Sequence, residues 1–366
     1  QAFLTALFLT VFVMAPVGWF LGPALLDLIN ADAAVQVEAL PYLRTMFVFS
    51  FGMMLFFMLG GALRAAGDAR TPLRLGIAMT VLNIVLNVVF IAGLGPIPAF
   101  GTTGAAMGTV IAGGVVSLYA LYRLVTGGWV VRFERALGWR PDFKVIRELF
   151  RFGLPTGVQG VAMNVAGVLL LRFVGSLELS AEAQAVYSVG YTQLFSFITW
   201  TSVGLLGATA AVAGQNLGAG RPDRTVAGVK VAARIGLGVA AAIGVVFLWV
   251  PEALFGMFGM TEPVVLGLGV ELLRYLSLSG LFITVALTYT GGLQGTGDTR
   301  SPLYISIVSQ LVIPLGLCWI IQTFSTLDPA DIWLAILLGH FTRMTLSVAV
   351  FRRGAWRDIE IRVGEG

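Results

Sequence analysis

Long apolar stretches separated by short polar punctuation set the plan of this chain. Runs of about 20 residues, the length that carries a helix across roughly 30 Å of hydrocarbon, recur near 2–24, 42–63, 73–94, 103–125, 149–174, 184–213, 226–250, 266–292, 303–324 and 331–351. Several contain Gly or Pro, among them Pro16, Gly190, Gly204 and Pro314. Such residues interrupt helices in water, yet they are common in membrane helices, where neighbours satisfy the freed backbone groups. The pattern predicts an all-α polytopic membrane protein with ten transmembrane helices, its surface in contact with the lipid bilayer.

Composition sharpens this picture. The chain has 366 residues, 57% hydrophobic and only 11% charged, whereas a soluble domain carries about 25% charged residues. Cys318 is the only cysteine, which excludes an intrachain disulfide framework. His340 is the only histidine, which excludes a multi-histidine metal site within the chain. The net charge of +4 is not gathered on one soluble face, so nucleic acid is not an expected partner.

Lys and Arg fall in alternate loops. Twenty of the 23 belong to five groups: Arg64, Arg70 and Arg74; Arg123 to Arg151; Arg221 to Arg234; Arg300; and Arg343 to Arg362. The intervening loops, near 25–41, 95–102, 175–183, 251–265 and 325–330, contain no Lys or Arg but carry acids such as Asp27, Asp32, Glu178 and Asp328. Basic loops stay cytoplasmic, so the alternation predicts ten crossings with both Gln1 and the C-terminus inside, in a cell (inner) membrane. Arg172 and Arg343, near helix ends, are expected to snorkel. His340 is expected to be packed and hydrogen-bonded.

One polar dodecamer occurs twice: GALRAAGDARTP at 61–72 and GGLQGTGDTRSP at 291–302. The similarity extends upstream, VEALPYL (37–43) matching VELLRYL (270–276). Gly-Asp supplies a turn that tolerates left-handed backbone. Thr71-Pro72 and Ser301-Pro302 then read as a helix start, the hydroxyl capping free N–H groups and Pro sitting in the first turn. Six predicted crossings separate the copies, so the two halves share one orientation, as parallel repeats around a transport route do. Within the second half four spans precede the dodecamer, and within the first half two. Equivalent halves would therefore need two further N-terminal helices. The predicted layout is an N-lobe at 1–126 with four of six helices, a cytoplasmic connector at 127–147, a C-lobe at 148–353 with six helices, and a cytoplasmic tail at 354–366. Trp129, Val131 and Phe133 beside arginines suggest that the connector is an interfacial segment.

The dodecamer LRAAGDARTP, with NIVLNVVF (83–90), GTTGAAMGT (101–109), FGLPTGVQ (152–159), VGLLGATAAVAGQNLGAGRP (203–222) and LQGTGDTRSP (293–302), taken in order, resembles the multidrug and toxic compound extrusion (MATE) family over essentially the whole chain. The resemblance implies a twelve-helix, two-lobe fold built as a 6+6 parallel repeat. It implies a secondary active antiporter that takes Na⁺ or H⁺ inward in exchange for organic, often cationic, compounds, with no bound cofactor and acting as a monomer. One branch of the family carries a Glu two turns after GLP, where this chain has Met163 beside Asn164. The DinF-like branch is closer and places its essential Asp on the first helix, which would lie ahead of these ten.

No Asp or Glu lies deep in any predicted span. Asn83 and Asn87, at i and i+4, share a helix face, and amide oxygens suit an alkali cation; interhelical hydrogen bonding alone is the alternative use of such residues. The resemblance adds Thr109 to this candidate ion site, with possible Na⁺ at Asn83 and Asn87. At the repeat-equivalent positions stand Ile313 and Leu317. Candidate substrate-binding residues are Gln159, Met163, Asn164, Tyr187, Gln193 and Gln310, with Phe195 and Phe197 as aromatic neighbours suited to cations and apolar rings. A flippase for a lipid-linked precursor would need several cations lining its cavity. An intramembrane enzyme would need HExxH, GxSxG or paired intramembrane acids, and the sequence has none of these.

Overall fold

A computed structural model describes residues 1–28, 33–131 and 140–359. Part of the predicted connector (132–139, including Phe133) and the end of the predicted tail (360–366) lie outside the described residues. The chain divides into two compact units, Gln1–Leu149 and the remainder from Phe150. The first contains α1 (Ala2–Asp27), α2 (Ala33–Val48), α3 (Phe51–Ala65), α4 (Arg70–Ala92), α5 (Gly101–Val125) and the start of α6 (Phe143–Val174). The second continues with α7 (Ser180–Gly218), α8 (Pro222–Trp249), the short α9 (Pro251–Gly256), α10 (Pro263–Gly295), α11 (Arg300–Phe324) and α12 (Pro329–Arg353). Among the described residues there is no strand, only an isolated bridge between Leu94 and Ile97.

Among the described residues nine helices are long and apolar enough to cross a membrane, or ten if the pair α2–α3, bent by 49°, forms one span. The continuous span predicted at 42–63 is therefore broken. At the break the Ser50 hydroxyl donates to the Phe47 carbonyl at 2.8 Å and the Ser50 N–H turns to the same oxygen. A serine that competes for helix carbonyls in this way bends its helix. The corresponding helix α10 runs unbroken from Pro263 to Gly295, packed by α7, α8 and α12. Leu272, Leu273, Leu276 and Leu293 of α10 are fully buried. Lipid is as apolar as leucine, so these contacts act through close packing rather than through transfer out of water. Large apolar side chains such as Phe20, Trp200, Trp249 and Phe324 point outward, as a lipid-facing surface requires.

The repeated dodecamer folds the same way twice. α3 and α10 each end in a glycine of positive φ, 91° at Gly67 and 92° at Gly297. The Asp68 N–H bonds the Leu63 carbonyl and the Gly67 N–H that of Arg64; Asp298 and Gly297 repeat the pattern on Leu293 and Gln294. These are the paired bonds of a Schellman ending. The next helix start differs from the expectation, because the cap is the aspartate and not the hydroxyl. Asp68 Oδ1 accepts from the Thr71 N–H at 2.9 Å and Asp298 Oδ1 from the Ser301 N–H at 3.0 Å. A carboxylate is the stronger acceptor for a free helix N–H and lies favourably at the positive end of the dipole.

One predicted boundary also moves, while the predicted tail begins where α12 ends, at Arg353. Residues 143–147 of the connector already belong to α6, while Trp129 and Val131 pack on the Leu55–Leu124 core of the first unit. The start of the predicted tail is not free chain: a 3₁₀ turn at Ala355–Asp358 tucks Trp356 against Phe351, with the indole N–H on the Phe351 carbonyl at 2.8 Å.

Candidate functional site

In the first unit, α4 and α5 approach closely because small residues face the contact. A Cβ on Gly104 would lie 2.3 Å from the Phe90 carbonyl oxygen, and one on Gly108 2.2 Å from Asn87 Oδ1. With Ala112 these form a run of small residues four apart, the usual means by which membrane helices bring their backbones together. The closeness gathers Asn83, Asn87 and Thr109. Asn83 Nδ2 donates to Thr109 Oγ1 at 3.1 Å and to Asn87 Oδ1 at 3.5 Å, and Asn87 Nδ2 donates back to Asn83 Oδ1 at 3.3 Å. Thr109 Oγ1 donates to the Ala105 carbonyl at 2.9 Å. The cluster thus offers three uncharged side-chain oxygens, hard ligands of the kind alkali cations take. All three predicted ion-site residues are brought together.

The second unit contains a cavity of about 380 Å³ whose lining includes Met163, Asn164, Tyr187, Tyr191, Gln310 and His340. Two wide helical turns shape it, Tyr187–Leu194 and Ile307–Val312. Single π turns inside α-helices redirect side chains and concentrate at functional positions. Pro314 accounts for the second: it has no N–H to give to the preceding turn, and the Gln310 amide reaches the Ser309 carbonyl at 3.4 Å. The first wide turn stacks Tyr187 on Tyr191 with ring centres 5.0 Å apart. Trp333 lies beyond Tyr187, and Phe195 and then His340 lie beyond Tyr191, making a continuous aromatic column. Such faces attract cations and flat apolar rings.

Four of the six predicted substrate residues, Met163, Asn164, Tyr187 and Gln310, line this cavity. The other two do not. Gln193 is exposed and does not join the lining. Gln159 is buried in a separate network, where its Nε2 donates to Ser306 Oγ at 2.7 Å and its Oε1 accepts from Gln294 at 3.3 Å. Phe195 joins the column but Phe197 is 65% exposed and faces outward. Tyr191 and Thr192 line the cavity without having been singled out, and only a wide-turn register would have shown them. Arg172 is exposed, as snorkelling requires. Arg343 is not: it is 1% exposed, and one donor reaches Ser306 Oγ at 3.3 Å. Its helix turns that face toward α10 and α11, so the guanidinium has no path to the interface. His340 is packed as expected, but its Nδ1 has no hydrogen-bond partner.

Comparison with known proteins agrees with this architecture. The chain is 24% identical over 332 residues to the "probable multidrug resistance protein NorM" of Thermotoga maritima, covering 89% of this chain and 69% of the relative. It is 28% identical over 344 residues to the protein of the same name in Deinococcus radiodurans, covering 89% and 71%. Among solved structures, a MATE in complex with MaL6 matches with a TM-score of 0.86 at 22% identity, over 98% of this chain and 79% of that one. An outward-facing multidrug resistance MATE family transporter of the MOP superfamily gives a TM-score of 0.85 at 22% identity, over the same shares of the two chains. The sequence profile of the MatE family matches residues 1–89 and 155–320. This chain, a multi-pass membrane transporter and not an enzyme, belongs to the MatE family.

Proposed function

We propose that the protein is a secondary active antiporter of the DinF-like branch, exchanging Na⁺ or H⁺ for organic, drug-like cations by alternating access. In this reading it is a monomer of the inner membrane, uses no cofactor, and keeps its C-terminus in the cytoplasm. The observation that carries the reading is the Asn83–Asn87–Thr109 cluster, a set of three polar side chains whose repeat-equivalents Ile313 and Leu317 are apolar. The coupling ion would bind there. The aromatic column and Met163 of the second unit would take the organic compound. The 380 Å³ cavity has no Lys or Arg in its lining, which weighs against a lipid-linked phosphate as cargo.

The test is dye efflux from vesicles driven separately by sodium and by proton gradients, with Asn87→Leu beside the unchanged protein. Efflux that follows one gradient and is lost in Asn87→Leu, with normal insertion, supports the assignment. Unchanged gradient-driven efflux in Asn87→Leu removes the cluster from the ion site.

A further inference from the structure

Buried polar groups without partners are unevenly distributed in this protein. Nine such side-chain atoms occur among the described residues, and five of them belong to two packed helices: Ser309 Oγ of α11, with His340 Nδ1, Arg343 Nε, Arg343 Nη1 and Ser347 Oγ of α12. Native structures leave few buried polar atoms unpaired, and a cluster of them calls for a ligand, ion or water that satisfies them. The two helices touch here, since a Cβ on Gly339 would sit 2.6 Å from the Ser309 carbonyl oxygen. Burial is deep, with Ser309 and Ser347 fully enclosed, Arg343 1% exposed and His340 3% exposed.

The character of the cluster decides what it can hold. A guanidinium does not lose its proton, and a buried charge without a counter-charge costs several kcal/mol. The one hydrogen bond of Arg343 goes to the neutral hydroxyl of Ser306, which also accepts from Gln159. Among the described residues no carboxylate pairs with the guanidinium. Its Nε and Nη1 together carry three N–H donors without a partner, and the Ser309 hydroxyl of the facing helix adds a rotatable proton. A metal or organic cation would be repelled by this set. A neutral acceptor would fill the donors but leave the charge. A monovalent anion does both.

We infer that the second unit binds a monovalent anion, a halide ion or a carboxylate group, between α11 and α12 at Arg343, with the Ser309 hydroxyl as a further donor. Access follows from the helix register. His340 lines the 380 Å³ cavity, and Arg343 lies one turn further along the same face. The anion therefore has two sources, chloride from the medium or an acidic group carried by a compound in the cavity. This inference concerns equilibrium binding in the second unit and does not depend on ion coupling at Asn83 and Asn87.

The experiment uses the purified full chain in detergent, with ³⁵Cl NMR line width reporting chloride binding and thermal unfolding reporting stabilisation. Wild type should broaden the chloride line, Arg343→Met should abolish the excess, and Ser309→Ala should reduce it several-fold. The unfolding temperature of wild type should rise with chloride or benzoate relative to Arg343→Met at each salt. That pairing cancels the general stabilising effect of salts on folded proteins. Displacement of chloride by benzoate assigns the site to carboxylates as well; chloride broadening that benzoate leaves unchanged restricts it to halide. Should Arg343→Met fail to fold, Ser309→Ala carries the comparison. Equal line widths in wild type and every folded variant, with no variant-dependent shift in unfolding temperature for either anion, would overturn the inference. Efflux measured separately distinguishes this failure from that of the antiport reading.

Discussion

Replacing Gly108 with alanine tests whether the α4–α5 contact exists to place the Asn87 amide. The added methyl would lie 2.2 Å from Asn87 Oδ1 and 3.1 Å from the Asn87 backbone nitrogen. The first clash is with the end of a flexible side chain, so Asn87 rotates away. The second is with backbone, so α4 must retreat by a few tenths of an ångström. Rotation breaks the reciprocal amide bonds at 3.3 and 3.5 Å and leaves Asn83 on Thr109 alone. Overpacking of this kind costs about 1–3 kcal/mol, and alanine returns about 1 kcal/mol through helix propensity. The net loss of roughly 0–2 kcal/mol leaves the protein folded. Losing one of three oxygen ligands should cost at least about 1.4 kcal/mol of ion affinity, a factor of ten. The assay is dye efflux from vesicles titrated with the coupling ion, whose half-maximal concentration should rise about tenfold. Gly114→Ala, on the same helix with no atom within 4 Å of the new methyl, is the control for propensity alone. Identical ion dependence in the two variants refutes the reasoning.

Tyr191→Leu should weaken binding of an aromatic cationic dye several-fold, about 1 kcal/mol for a lost ring face; Gln193→Ala should leave it unchanged, both read by dye fluorescence titration. Trp356→Ala should lower stability by about 3–5 kcal/mol, because the indole is buried on Phe351 and hydrogen-bonded to its carbonyl, seen as a large fall in unfolding temperature. Asp298→Ala should cost about 1 kcal/mol through loss of its helix cap, measured the same way. Bonds from the Thr71 hydroxyl, then its backbone N–H, hold the Asp68 carboxyl below the ordinary value of 3.8. Its stabilising effect is therefore present above that value and is lost as pH falls below it. Wild type should lose unfolding temperature more steeply than Asp68→Asn between pH 5 and 3.

The spans were legible because a membrane demands long apolar runs, and the Gly-Asp turns because both copies use the same residues. The 49° bend was not, since it depends on which carbonyl the Ser50 hydroxyl takes, and serine occurs in unbroken helices as well. The ion-site candidates came together because i, i+4 spacing on an α-helix is dependable and Gly104 and Gly108 fix the neighbour. The cavity residues were read less completely. A 3.6-residue period does not hold across Tyr187–Leu194, so Tyr191 was missed and Gln193 was given its place. Arg343 was misread because closeness to a helix end suggests snorkelling, whereas the face it occupies is closed by α11.

The duplication also separates scaffold from chemistry within one chain. Counted from matching helix starts, Arg70 with Arg300 and Gly101 with Pro329, the turn residues recur: Leu63 and Leu293, Gly67 and Gly297, Asp68 and Asp298, Pro72 and Pro302. The polar clusters do not. Asn83, Asn87 and Thr109 face Ile313, Leu317 and Leu337 in the other copy, while Ser306, Ser309, His340 and Arg343 correspond to Gly76, Met79, Ala112 and Val115. A hydrogen bond needed only to join two helices would serve both copies equally, since both join the same pair in the same way. Each cluster instead stands where its counterpart is apolar or a glycine. That reciprocal pattern is the one expected if each half of the duplicated scaffold carries its own ligand chemistry: oxygen ligands without charge in the first unit, and donors around an unpaired guanidinium in the second.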